Sequence, residues 1–123
     1  MTAPVHLLAV EDDDLVRSVL VRQLDHLGYR TTAVPGADEA LEALDAHDDI
    51  VLLLTDVRLG DDHDGYGLAT ESRERHPGLR VVFMSGLTDR TVERFPDAQT
   101  LTKPFRQAEL VAALETALDS GPA

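Results

Sequence analysis

The 123-residue chain has no cysteine, which removes disulfide staples and thiolate metal sites from consideration. It has no tryptophan and only 4% aromatic residues, so its core is expected to be mostly Leu, Val and Ala. No apolar run exceeds strand length, far short of the roughly 20 residues a membrane span requires, and no membrane insertion is expected. No basic stretch followed by a long apolar segment opens the chain, so no signal peptide is expected. Positive charge is scarce too: 11 Lys and Arg stand against 23 Asp and Glu, a formal charge of -12. That excess repels nucleic acid and anionic membranes and favours cationic surfaces, amines or metal ions. Long Gly/Ser/Pro linkers and internal repeats are missing as well. These absences leave one cytoplasmic domain over residues 1–123, with its core at about 5–118 and a frayed end at 119–123. The apolar fraction of 43% suffices for one core.

What is present is an alternation of short apolar runs with helix-period segments, the sign of an α/β protein with a parallel sheet. Strands are expected at Val5 to Val10, about Arg30 to Val34, Ile50 to Thr55, Arg80 to Met84 and Thr100 to Thr102. Helices are expected at Asp14 to Leu27, Ala37 to Ala46, Tyr66 to His76, Asp89 to Phe95 and Gln107 to Leu118. The fourth of these has room for only about two turns before Pro96 and is expected to be short or irregular. Leu15, Val16, Val19, Leu20, Leu24 and Leu27 form one apolar face of the first helix. An Asp of the preceding acidic cluster can cap it, and Gly28 is placed to end it. The run Ile50 to Leu54 is apolar without alternation, which predicts burial on both faces and a central place in the sheet. With right-handed crossovers the count gives a (βα)5 doubly wound, five-stranded parallel sheet of order 2-1-3-4-5.

Each of four runs ends in a group that phosphoryl-transfer chemistry can use. The first runs into Glu11, Asp12 and Asp13, the third into Asp56, the fourth into Ser85 and Gly86, and the fifth into Lys103. Parallel strands would bring all of these to one carboxyl edge, where open α/β sheets bind ligands. Glu11, Asp12 and Asp56 offer hard oxygens of the kind Mg²⁺ takes. A carboxylate such as Asp56 is costly after an apolar run unless paired or solvated, and it can attack phosphorus to give an acyl phosphate. Ser85 can donate to a phosphoryl oxygen, and Gly86 lets the backbone approach. Lys103 offers a compact positive charge to the same oxygens and can pair with Asp56 beforehand. Asp13 and Asp14 are read as helix-capping residues, and the run Asp61, Asp62 and Asp64 as a solvated loop. The histidines His6, His26, His47, His63 and His76 show no metal-ligand spacing.

The segments LLAVEDDDLVR (Leu7 to Arg17), VLLLTDVRL (Val51 to Leu59), VVFMSG (Val81 to Gly86) and TKPF (Thr102 to Phe105) resemble, in this order, the receiver domain of bacterial two-component response regulators. The resemblance covers essentially the whole chain and implies a flavodoxin-like fold. It implies that Asp56 accepts a phosphoryl group from a phosphohistidine on a histidine kinase or histidine phosphotransfer protein. It implies Mg²⁺ held by Glu11, Asp12, Asp56 and the backbone carbonyl of Arg58, with Asp12 as a direct ligand. Ser85 matches the switch hydroxyl, Lys103 the phosphoryl-contacting lysine, and the Lys103-Pro104 peptide is expected to be cis. Such a protein is not an enzyme but a phosphoacceptor that assists its own phosphorylation and dephosphorylation, and it signals to a downstream protein.

The chain departs from the family pattern in three places. Thr100 stands where many members carry an aromatic, the stretch from Ser85 to Lys103 is short, and the loop after Asp56 lacks the usual proline after Leu59. The combination is similar to receivers attached to, or working with, hybrid histidine kinases. The chain reads as a stand-alone receiver or one cut from a longer protein. Other readings are a phosphate sink or shuttle, a Mg²⁺-dependent phosphatase with an aspartyl nucleophile, and a flavin-binding domain. A phosphatase of that type wants an acid two residues after Asp56, where Arg58 stands; a flavin domain wants a hydroxyl- and glycine-rich first loop.

Overall fold

Strand-length apolar runs build a five-stranded parallel sheet of order β2-β1-β3-β4-β5. The computed structural model describes residues 4–59, 64–86, 95 and 97–119. The elements run β1 (His6–Val10), α1 (Asp14–His26), β2 (Arg30–Val34), α2 (Ala37–Ala46), β3 (Ile50–Asp56), α3 (Gly65–Arg75), β4 (Arg80–Ser85), β5 (Gln99–Thr102) and α4 (Gln107–Asp119). The predicted boundaries hold to within a residue or two, and β3 is central as its unbroken apolar run requires. The helix expected at Asp89 to Phe95 lies outside the described residues except for Phe95, as do His63, Asp61, Asp62 and the tail at 120–123.

Alternation along the strands sorts the core onto two faces. Leu7, Ala9, Leu52, Leu54, Val82 and Met84 pack under α1 and α4. Leu8, Val10, Leu53, Val81 and Phe83 pack under α2 and α3. Each fully buried leucine contributes roughly 1.5–3 kcal/mol by its removal from water. Of the five aromatics, Tyr29 and Phe105 pack partly buried against the first face, and the other three cluster on the second. Tyr66, Phe83 and Phe95 gather on the α3 side, with ring centroids 5.0 to 6.1 Å apart, and the Arg73 guanidinium lies 5.5 Å from the Phe95 centroid.

The apolar face expected of α1 is only partly used. Leu20 and Leu24 are buried, but Leu15, Val16 and Val19 are 75%, 43% and 50% exposed. The helix starts at the carboxyl edge, so its first two turns stand at the rim, where the strands beneath them have ended. Helical spacing marks an apolar stripe but not the length of sheet available to cover it.

Two local devices fix the chain around β1 and β3. Asp13 caps α1 by accepting from the Val16 amide at 2.9 Å, and Gly28 ends the helix with φ of 92°, a region that favours glycine. At the start of α3, the Gly65 amide donates to the Val57 carbonyl at 2.6 Å, and a Cβ on Gly65 would run into the backbone carbonyl oxygen of Asp56. The helix can therefore seat against the end of β3 only without a side chain there. Gly65→Ala is expected to destabilise the fold by about 1–3 kcal/mol, the usual cost of overpacking, read as a lowered urea midpoint. An unchanged midpoint would show that α3 shifts freely.

Candidate functional site

Three strand ends and one loop make the site. Glu11 follows β1 and is 2% exposed, Asp56 closes β3 at 5%, and Lys103 follows β5. The Lys103 ammonium donates to Glu11 Oε1 at 2.7 Å and pairs with Asp56 Oδ1 at 2.5 Å. Pairing with Asp56 was expected from the sequence; the equal partnership with Glu11 was not. Glu11 is held further by the Asp13 amide, which donates to its Oε2 at 3.2 Å, and by Arg17, whose Nη1 donates to its carbonyl at 2.9 Å. Arg17 also pairs with Asp14 at 2.6 Å and so clamps the acidic loop to the first turns of α1. Sequence reasoning missed both Arg17 and Gly65, whose roles depend on how the loops fold back.

Glu11, Asp12, Asp13, Val16, Asp56, Arg58, Met84, Gly86 and Lys103 line a cleft of about 540 Å³. Carboxylate oxygens of Glu11, Asp12 and Asp56 lie within 4.8 Å of one another. One ammonium against three carboxylates leaves an excess of negative charge that a divalent cation matches, and an all-oxygen set fits Mg²⁺. Arg58 lies on the rim and its backbone bridges to Asp64. Asp64 caps α3 by accepting from the Gly67 amide at 2.6 Å.

Ser85 is arranged differently from the other expected site residues. It ends β4 and is 4% exposed, and its carbonyl accepts from the Lys103 amide at 2.8 Å. Alternation puts its side chain on the face of Val81 and Phe83, while its neighbours Met84 and Gly86 line the cleft. The Lys103-Pro104 peptide is cis, as expected.

Burial and crowding of like charge set the electrostatics. Burial, then the neighbouring Glu11 carboxylate, push the Asp56 carboxyl up to about 8, against the pull of Lys103. Burial also works to raise Glu11, but its hydrogen bonds with Asp56, Lys103 and the Asp13 amide hold it down at about 2. Asp12 is raised, by burial and then by Glu11. Burial opposes the Lys103 charge, yet bonds to Asp56 and Glu11 outweigh it and raise its pKa. A carboxylate that resists ionisation next to a carboxylate that does not is the signature of a site short of positive charge.

A family model described as the response regulator receiver domain matches residues 7–115. Similar proteins include the response regulator receiver protein CpdR of Brucella abortus (strain 2308), 34% identical over 118 residues, covering 91% of this chain and 95% of that one. The sensor kinase CckA of the same organism is 30% identical over 118 residues, which cover 92% of this chain but 12% of the kinase. A solved response regulator receiver protein from Sinorhizobium medicae WSM419 superposes with a TM-score of 0.82 at 28% identity, covering 95% of this chain and 96% of the other. Among the described residues, no helix is long and apolar enough to cross a membrane.

The raised Asp56 carboxyl has a definite effect on stability. A folded pKa of about 8 against the ordinary 3.8 means that the native state binds the proton more tightly, so this group lowers stability as pH rises from about 4 to 8. Glu11 acts oppositely: its contribution is present above about 4.5 and is lost as pH falls towards about 2. In Mg²⁺-free buffer, Asp56→Asn is therefore expected to gain stability over the wild type between pH 5 and 8. The gain should exceed the roughly 1.4 kcal/mol that one pKa unit represents. Urea unfolding at a series of pH values measures it; a difference independent of pH would refute the assignment.

Proposed function

The chain belongs to the response regulator receiver domain family, and on that premise we propose that it is a phosphorylatable signalling switch of a two-component phosphorelay, with Asp56 as the acceptor. The observation that carries this reading is the Lys103 ammonium held between Asp56 and Glu11 at the mouth of an acidic cleft. The donor is a phosphohistidine on a histidine kinase or histidine phosphotransfer protein. Its phosphorus–nitrogen bond breaks as a phosphorus–oxygen bond to an Asp56 carboxylate oxygen forms. The electron pair leaves with the imidazole, which takes up a proton. Glu11, Asp12, Asp56 and the Arg58 backbone carbonyl would hold Mg²⁺, which would supply the charge that offsets repulsion between carboxylate and phosphoryl group. Lys103 exchanges part of its pairing with Asp56 for the new phosphoryl oxygens.

The switch follows from the position of Ser85. Its hydroxyl turns from the Phe83 face towards the added charge, carrying Gly86 with it. A downstream protein reads the altered surface near Thr100 and α4. Like other phosphoacceptors, the domain assists transfer onto and off its own aspartate and turns over no external substrate. The cytoplasm, where such donors work, is its proposed location.

The exposed front of α1 supports a protein donor. Val16 and Val19 flank an apolar cavity of about 500 Å³ beside Lys103, closed on the far side by Pro104 and Phe105. A donor domain with an apolar surface around its phosphohistidine would cover these residues as it delivers the phosphoryl group.

A small acyl-phosphate donor with Mg²⁺ is expected to modify the wild type once and to leave Asp56→Asn unmodified, as read by intact-mass spectrometry. Equal modification of both would sink the acceptor assignment. Val19→Gln is expected to slow transfer from a phosphohistidine protein about tenfold while leaving labelling by the small donor unchanged. Equal slowing with both donors would mean that Val19 acts on the site and not on docking.

A further inference from the structure

A second cluster lies at the other end of the sheet. His6 opens β1 and is 1% exposed. Its Nδ1 lies 2.8 Å from Asp49 Oδ1, and its Nε2 lies 2.7 Å from Thr32 Oγ1. The His47 ring, just past α2, stands edge-on to His6 with centroids 5.2 Å apart and planes at 73°. One ligand atom from each of His6, His47 and Asp49 lies within 4.8 Å of the others. From His6 to Glu11 the chain rises about 16 Å at ~3.3 Å per residue, so the cluster and the acidic cleft share no side chain.

We propose that His6, His47 and Asp49 form a second metal site, for a transition-metal dication of the zinc class. The donor set separates it from the cleft. Two imidazoles and one carboxylate suit Zn²⁺ and its neighbours, whereas Mg²⁺ takes oxygens. Tetrahedral geometry with bonds of roughly 2.0–2.1 Å puts ligand atoms about 3.3 Å apart. The close His6–Asp49 pair has only to open slightly, and the widest pair has to close by about 1.5 Å at most. Asp49, 57% exposed, and the half-buried His47 lie in the turn between α2 and β3 and can supply that movement.

The surrounding contacts are those a ligated site requires. A metal on Nδ1 of His6 needs the ring proton on Nε2, with an acceptor for it. Thr32 Oγ1 stands there, and a hydroxyl can turn from donating to accepting, so the ring changes tautomer without losing its hydrogen bond. Arg30 Nη1 donates to Asp49 Oδ2 at 3.2 Å, which orients the carboxylate and leaves Oδ1 to the cluster. The outer side is open, so water completes the shell. A metal there ties the start of β1 to the α2–β3 turn.

Cobalt(II) is the direct probe, added to wild-type protein in excess Mg²⁺ so that the acidic cleft is already filled. One equivalent is expected to give the intense visible bands of tetrahedral cobalt, to be displaced by Zn²⁺, and to bind equally well to Asp56→Asn. His47→Gln and Asp49→Asn change accessible side chains and spare the buried His6; each should weaken binding about tenfold or more. Zn²⁺ should raise the melting temperature of the wild type and not that of His47→Gln. Absence of tetrahedral bands, unchanged affinity in His47→Gln, or loss of the bands in Asp56→Asn would each overturn the proposal. None of these readouts depends on whether Asp56 is phosphorylated.

Discussion

The arrangement rests on one ammonium group shared by two buried carboxylates. Glu11 and Asp56 come from adjacent strand ends, and two anions this close would drive them apart or force a proton onto one of them. Lys103, carried in from the far side of β4, neutralises part of that charge and holds the ends of β1, β3 and β5 at one level. Removing the ammonium would leave two buried carboxylates with no counter-charge, at a cost far above what a surface ion pair is worth. The residual strain is visible in Asp56, whose carboxyl sits far above its ordinary range while Glu11 sits below. The site is thus poised to take up more positive charge, and a divalent cation that supplied it would also lower the barrier to an anionic phosphoryl group in the proposed reaction.

The sheet supplies the precision that this chemistry needs. Parallel pairing sets Asp56 beside Met84 and Ser85 beside Thr102, so the chemical groups follow the strands at matched heights. Strict alternation then decides which of them face the cleft. Asp56 and Met84 share a face; Ser85 falls on the other, with Val81 and Phe83. In the proposed switch, a hydroxyl on that side of the pleat would join the site through a change in its own segment.

Much of this was legible in the sequence because short apolar runs mark strands and the residues after them mark the sheet edge. Glu11, Asp12, Asp56 and Lys103 could be placed together on that basis alone. Other features were not legible, each for a physical reason. The Lys103–Glu11 pair spans 92 positions, and no local pattern encodes which of two neighbouring acids an ammonium will prefer. The apolar stripe of α1 was visible, but not that the sheet ends beneath its first turns. Gly65 is one glycine in a loop rich in turn formers, and its necessity comes from the approach of α3 to the Asp56 carbonyl. His6 and Asp49 meet across 43 positions, so the histidines carried no spacing signal although the fold brings two of them together.

Lys103 is the only lysine in the chain; every other cationic side chain is an arginine. Apart from the chain's own amino terminus, all amine chemistry of the protein therefore falls on the atom that joins Glu11 and Asp56. With its pKa raised and its protons engaged by two carboxylates, that amine has little of the unprotonated form that acylating reagents attack. Its reactivity should rise only when those pairs open. The molecule thus carries a built-in reporter: the acylation rate of a single nitrogen gives the state of the whole site.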